Sequence, residues 1–318
     1  ITLAGGLGCA PGKEAPVASR TDELPGVTVG LPYIPNVQIS AFYVGVDEGI
    51  FHELGVDVTL RHHGAQEDVF GALINGKEQV VFATSDEAVV AAQQTPQLRT
   101  FATAMQRFPG VVIAPAAAGA KDLTDLRGTS VGIPGHFGST YYAALVALHN
   151  AGMTEDDVKL TDIGFTQVAA LEAGKVDAIV GYTNNDTVQC RLAGLEVTEI
   201  PVQEASEPTL VGPGLITMDE VLSEEILASL AQGMAEAERR IVADPDLALE
   251  ATARQVPTLN DPDQREAARE VLAATMKLWQ VEGEVSVAIN QQAFERMGEF
   301  LVEAGIMDSF QQDPYILL

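Results

Sequence analysis

Val27-Thr-Val-Gly-Leu-Pro-Tyr-Ile-Pro-Asn-Val-Gln-Ile-Ser-Ala-Phe-Tyr-Val-Gly-Val-Asp-Glu-Gly-Ile-Phe51 holds a strand, a loop and a helix in immediate succession. Val27 to Leu31 reads as a strand by its period and its β-branched residues. Ile39, Phe42, Tyr43, Val46 and Ile50 fall at helical spacing across residues 37–51, so that segment turns one apolar stripe toward a core. Val56 to Leu60 is a second strand, Asp68 to Ile74 a short helix stopped by Asn75-Gly76, and Val80 to Phe82 a third strand. Ser85 to Ala92 is a further helix, capped by Ser85 or Asp86. Strands and helices alternating at this spacing predict an α/β fold with a mainly parallel sheet.

The middle third repeats the theme. Ser130 to Ile133 is a strand, followed by a Gly-rich turn (Pro134-Gly-His-Phe-Gly-Ser-Thr140) and a helix from Tyr141 to Asn150. Val158 to Ile163 and Ala178 to Val180 are strands around a helix at Gln167 to Ala173; Asp186 to Leu192 is helical and Val197 to Val202 extended. The last hundred residues are helical, with Ser223, Asp244 and Asp261 as N-caps, the two aspartates each followed by proline. Amphipathic helices are expected over 226–241, 267–278 and 286–303. The alternation breaks near Phe108-Pro-Gly110 and resumes between Pro208 and Gly214, which predicts one lobe from 27–110 and 208–318 and a second from 111–207.

Eighteen Lys and Arg against 45 Asp and Glu leave a formal charge of −27 in 318 residues. That excludes the basic surface a nucleic-acid binder needs to displace phosphate counterions. No apolar run reaches the roughly 20 residues of a membrane-spanning helix. Two cysteines, Cys9 and Cys190, make neither a disulfide scaffold nor a four-thiolate zinc site. Small residues crowd Cys9 and a polar, Pro-rich stretch follows it, so residues 1–26 read as a signal remnant with a lipobox and a flexible tether. Cys9 is then a lipidation site or an incidental cysteine; Gly6 stands where lipoboxes favour Leu.

Catalytic constellations are missing. His62 and His63 are adjacent in an extended run and point to opposite faces, so they cannot chelate one metal. Cys190 has no nearby His and reads as a buried, inert thiol. No catalytic residue, metal or cofactor is expected. Three polar and aromatic loops do stand at strand ends, where open α/β sheets hold ligands. They are Tyr33 to Gln38, Gly135 to Tyr141 and Gly181 to Asp186. Each alone is a cap and turn or a ligand loop; three together favour a cleft.

The same residues carry a resemblance. Tyr33 to Phe51, the Gly-Val-Asp-Val58 that follows, Gly138-Ser-Thr-Tyr141, Ala170-Leu-Glu-Ala-Gly-Lys-Val-Asp-Ala178, Gly181-Tyr-Thr-Asn-Asn185 and Gly214-Leu-Ile-Thr217 resemble the solute-binding proteins related to thiamine-pyrimidine synthase and the sulfonate binders. The likeness runs from about Val27 to Trp279. It implies a type II periplasmic-binding-protein fold, two α/β lobes around a ligand cleft with two hinge crossovers, delivering ligand to an ABC permease. The thiamine-pyrimidine binders have Trp at the position of Tyr33 and Asn-His at Gln38-Ile39, so the chain is more similar to the riboflavin-uptake branch. The yeast-type synthase needs a cysteine-rich loop and an active-site His; here Ile39 stands for the His and no cysteine cluster exists, so no enzyme is implied.

The expected ligand is a planar nitrogen heterocycle such as riboflavin. The alternatives are a thiamine pyrimidine precursor and a small sulfonate, the latter wanting a cleft arginine that only Arg107 or Arg191 could supply. Tyr33, Phe42, Tyr141 and Tyr182 are the stacking candidates, and Asn36, Gln38, Ser85, Gly138, Ser139, Thr140, Asn184 and Asn185 the polar contacts. The protein is expected to be an extracytoplasmic monomer, either held to the membrane through a lipid anchor at Cys9 or periplasmic.

Overall fold

The computed structural model describes residues 23–32, 34–311 and 313–318; Cys9 and Tyr33 lie outside them. The chain opens with β1 (Gly26–Leu31), α1 (Ser40–Asp47), α2 (Ile50–Glu53), β2 (Asp57–His62), α3 (Gly71–Ile74), β3 (Val80–Ala83), α4 (Ser85–Ala91) and β4 (Leu98–Thr103). The helical stripe over 37–51 is not one helix: a 3-10 turn at Val37–Ile39 leads into α1, and Gly49 with φ 70° separates α1 from α2. The second unit contains β5 (Gly110–Pro115), β6 (Ser130–Ile133), α5 (Gly138–Asn150), β7 (Lys159–Asp162), α6 (Gln167–Glu172), β8 (Ala178–Tyr182), α7 (Asp186–Leu192) and β9 (Val197–Pro201). The chain then adds β10 (Gly214–Met218), α8 (Glu224–Ala243), α9 (Pro245–Gln255), α10 (Pro262–Met276), the short hairpin β11 (Gln280–Val281) and β12 (Glu284–Val285), and α11 (Gln291–Glu303). Ser223, Asp244 and Asp261 cap α8, α9 and α10 with their side chains as expected.

Two five-stranded sheets result, ordered β2-β1-β3-β10-β4 and β7-β6-β8-β5-β9. They share one plan. In each, three strands run parallel and the fourth position holds an antiparallel strand, β10 in the first and β5 in the second. Each antiparallel strand comes just after the chain has crossed from the other sheet, so each lobe is closed by a strand delivered across the cleft. This is the periplasmic-binding-protein fold.

Both faces of each sheet are covered, which explains the continuous apolar runs of the central strands. Val80 and Phe82 of β3 face the core built by α1, α8, α9 and α10, while Val81 and Ala83 face a second core under α3 and α4. Likewise Val112 and Ala114 of β5 pack under α5, and Val111 and Ile113 pack against α6 and α7. Cys190 is fully buried in that last cluster, and burial pushes its thiol up to about 11, in keeping with an inert role.

The crossings lie between β4 and β5 and between β9 and β10, and they touch. Met105 N–H donates to the Pro213 carbonyl at 3.1 Å. A Cβ on Gly212 would stand 1.9 Å from the Met105 carbonyl oxygen, so only glycine lets the two backbones approach this closely. The C-terminal region departs from the expected assignment of 208–318 to the first lobe. Ala293, Phe294, Met297, Phe300 and Leu301 of α11 belong to the second sheet's core. An amphipathic stripe states that a helix has a buried face but not which core receives it.

Candidate functional site

The parallel strands of both sheets end at a common cleft, and the loops that leave them form its walls. After β1 come Pro32, Asn36 and Gln38; after β2, His63 to Glu67; after β3, Thr84 and Glu87; after β8, Asn184. With Phe82, Met105, Pro109, Tyr182 and Pro213 they enclose a cavity of about 370 Å³. A second cavity of about 340 Å³ adjoins it, lined by Phe137 to Thr140 at the start of α5, Phe165, Gln167, Asn185 and Asp186. Glu87 and Tyr182 border both cavities, one from each lobe. The site is one cleft with two compartments.

The polar groups of the first lobe are largely committed to one another. Arg61 donates twice to Glu67, at 2.6 and 2.8 Å, and once to Glu78 at 3.0 Å; His63 contacts the same fully buried Glu78 at 3.0 Å. The Gly64 N–H, aided by Arg61, holds the Glu67 carboxyl below its ordinary range. His62 turns instead to Tyr43, so the two histidines do serve opposite faces. Asn36 forms an Asx turn, accepting from the Gln38 N–H and donating to the Ile34 carbonyl, both at 2.9 Å. The Gln38 side chain faces the cavity and makes no hydrogen bond among the described residues.

Two carboxylates on α4, Asp86 and Glu87, have hydrogen-bond donors but no basic partner among the described residues. Burial, reinforced by the neighbouring Glu87, pushes Asp86 up to about 7, although its Oδ2 accepts from the Ser139 hydroxyl at 2.7 Å across the cleft. Burial also raises Glu87, which accepts a hydrogen bond from the Thr84 hydroxyl. The same cause raises the Tyr182 phenol, which stays neutral. No Lys or Arg side chain lines either compartment among the described residues.

Asn184 is 1% exposed on the facing lobe. Its Nδ2 donates to Thr275 Oγ1 at 3.0 Å, and Thr275 donates its own proton to the Val271 carbonyl at 2.8 Å. That chain fixes which way the Asn184 amide faces and leaves Oδ1 without a partner. A buried, unpaired carbonyl oxygen on a cavity wall is ready for a ligand donor.

Of the expected contacts, the structure brings Asn36, Gln38, Tyr182 and Asn184 to the first compartment and Gly138, Ser139, Thr140 and Asn185 to the second. Phe42 does not reach the cavity; it is buried and meets Phe82 edge-on at 5.3 Å, so Phe82 is the ring at the surface. Tyr141 turns away and donates to Glu155 at 3.0 Å. Ser85 is fully buried and donates to the Gly212 carbonyl at 2.8 Å, tying α4 to the crossing. Neither Ser85 nor Asp86 caps α4, whose N-cap is Thr84. Arg107 and Arg191 line neither compartment. Phe82, His63, Met105 and Glu87 were not anticipated; the strand-end rule, applied to β2 and β3 as well as β1, finds the region of all but Met105.

Residues 36–248 match the family described as NMT1/THI5 like. The chain is 31% identical over 304 residues to the riboflavin-binding protein RibY of Chloroflexus aurantiacus, covering 93% of this chain and 85% of that one. It is 24% identical to the formylaminopyrimidine-binding protein of Halalkalibacterium halodurans, over 82% of this chain and 79% of that one. Among solved structures, the periplasmic aliphatic sulphonate binding protein SsuA of Escherichia coli superposes with a TM-score of 0.71 at 15% identity, over 92% of this chain and 91% of that one. The desulfurization enzyme DSZB shares the fold with a TM-score of 0.57 at 12% identity, over 91% and 95% of the two chains.

Proposed function

This chain belongs to the NMT1/THI5-like family, and we propose that it is the extracytoplasmic solute-binding protein of an ABC importer, with riboflavin as its ligand. The observation that carries the reading is the cleft itself. Phe82 and Tyr182 supply apolar faces for a flat ring, and the Gln38 amide, the unpaired Asn184 Oδ1 and the Glu87 carboxyl oxygen not held by Thr84 supply polar groups for its edge. The adjoining compartment, with Ser139, Thr140, Gln167 and Asn185 on its walls, has room for a hydroxylated chain on that ring. The RibY relative supports the choice of ligand. A sulfonate fits less well, because the walls hold carboxylates and no Lys or Arg.

The reading extends to binding without turnover, a monomer, anchorage through a lipid on Cys9, and a permease that accepts the closed form. Riboflavin fluorescence tests the ligand directly. Titrated protein is expected to quench it at micromolar concentration or below, with the riboflavin recovered unchanged. No quenching at tens of micromolar, together with a clear thermal shift by a formylaminopyrimidine, gives the site to the pyrimidine reading that the second relative supports.

A further inference from the structure

We propose that Glu87 sets the charge selectivity of the cleft: its free carboxylate oxygen accepts an N–H donor from a neutral heterocycle, and its charge bars anionic forms of the same ligand. The inference rests on the solute-binding reading above and adds a selectivity to it. Thr84 holds Glu87 Oε2, while Oε1 lies against the first turn of α5, where a Cβ on Gly138 would stand 3.2 Å away. The first turn of a helix is where an α/β cleft would seat an anion. Here that turn already faces two carboxylates of the protein, Asp86 on the Ser139 hydroxyl and Glu87 beside Gly138.

An independent observation points to the same ligand chemistry from the other lobe. Asn184 Oδ1 is a buried acceptor with no donor, and its orientation is fixed through Thr275. Acceptors on both walls, Glu87 on one lobe and Asn184 on the other, call for a ligand that brings donors. The imide N–H of a flavin or the amino group of an aminopyrimidine supplies one. A phosphate or sulfonate brings only acceptors and a like charge, and leaves Asn184 unpaired. The guanidinium of Arg61 does not rescue an anion, because Glu67 and Glu78 already hold it.

Riboflavin and FMN share one ring system and differ by a terminal phosphate, so their ratio of affinities reads the charge. Fluorescence titration of the intact protein is expected to show FMN at least about tenfold weaker than riboflavin. 3-Methylriboflavin, which lacks the imide proton, should be weaker by about tenfold as well. Glu87→Gln keeps the shape and an acceptor oxygen but removes the charge, and should narrow the riboflavin–FMN gap to about threefold or less. Glu299→Gln, an equal change of net charge at an exposed site on α11, should leave the gap as it was. Melting of the apo variants reports folding, and if Glu87→Gln does not fold, the wild-type ratios decide alone. FMN or 3-methylriboflavin binding as tightly as riboflavin, or an unchanged gap in folded Glu87→Gln, overturns the inference and leaves the riboflavin reading standing. If neither flavin binds, the riboflavin reading fails; an aminopyrimidine and its phosphate then make the same comparison, with equal affinities overturning the inference.

Discussion

Both lobes carry the same sheet plan, with three parallel strands, a borrowed antiparallel strand and an edge strand, yet they bring different material to the cleft. The first lobe presents a wall that is mostly complete in itself. Arg61, His63, Glu67 and Glu78 satisfy one another, Asn36 is folded into its own turn, and Phe82 rests on Phe42. The second lobe presents groups held at one end and open at the other, notably Asn184 and the half-buried Tyr182. A wall already satisfied gains little from a ligand, while an orphaned acceptor and a free ring gain a partner. The difference assigns rigidity to the first lobe and most of the recognition to the second, with Glu87 and Gln38 as the first lobe's exceptions.

Two aromatic substitutions test that division most directly, one on each wall. Phe82 is 8% exposed and packs on Phe42, so Phe82→Ala should destabilise the apo protein by about 3–5 kcal/mol in chemical denaturation. Tyr182→Ala should leave the apo melting temperature nearly unchanged and weaken ligand binding by about 1–3 kcal/mol, as stacking on aromatic faces does elsewhere. If Tyr182→Ala melts early while affinity per folded molecule is preserved, the second lobe's wall is structural too and the contrast collapses.

The carboxyl between the lobes sharpens the comparison through pH. Asp86 is pushed up to about 7 by burial, and in the unfolded chain it titrates in the ordinary carboxylate range. Between those values the folded state holds a proton that the unfolded state releases, so stability falls as pH rises from about 4 to 7. Above that window the cost of the buried charge is fully present. Thr84, Glu87, Ser139, Tyr142 and Tyr182 surround the carboxyl, and no base stands among them to offset it. Asp86→Asn keeps the shape and removes the titration, so it should flatten the decline and exceed wild type at pH 8 by about 1–2 kcal/mol. Equal slopes in denaturation at pH 4, 6 and 8 would place the titrating group elsewhere.

How much of this was legible follows from what each residue's neighbours are. The α/β alternation was readable because β1, β3, β6 and β8 are short apolar runs bounded by turn residues, and the helix caps at Ser223, Asp244 and Asp261 because a cap is a local hydrogen bond. The destination of α11 was not, since its apolar stripe fits either core. The strand-end rule located the loops of β1, β6 and β8 but not the direction of each side chain. Tyr141 and Tyr182 have the same composition signal, but the helix phase of α5 turns Tyr141 to Glu155, while Tyr182, the last residue of β8, stays in the cleft. Glu87 was hidden for a different reason. In a chain with 45 acidic residues, an acid in a helix's first turn looks like ordinary dipole complementation until the facing lobe is seen to bury it.

The smallest expected effect separates two neighbours in one loop. Asn36 and Gln38 both line the first compartment, and both carry a side-chain amide. Asn36 has its amide occupied at both ends, by the Gln38 N–H and the Ile34 carbonyl, so it shapes the loop. Gln38 follows the same turn but directs an unused amide into the cavity. Asn36→Ala should therefore cost about 1 kcal/mol of stability, the usual loss when a capping side chain is removed, with little change in intrinsic affinity. Gln38→Ala should leave the melting curve in place and cost about 0.5–1.5 kcal/mol of affinity, one net hydrogen bond to a neutral ligand. Paired titration and melting of the two variants checks this. If Asn36→Ala loses more affinity than Gln38→Ala at equal stability, the ligand reads the turn itself, and the first lobe's share of recognition is larger than its committed hydrogen bonds imply.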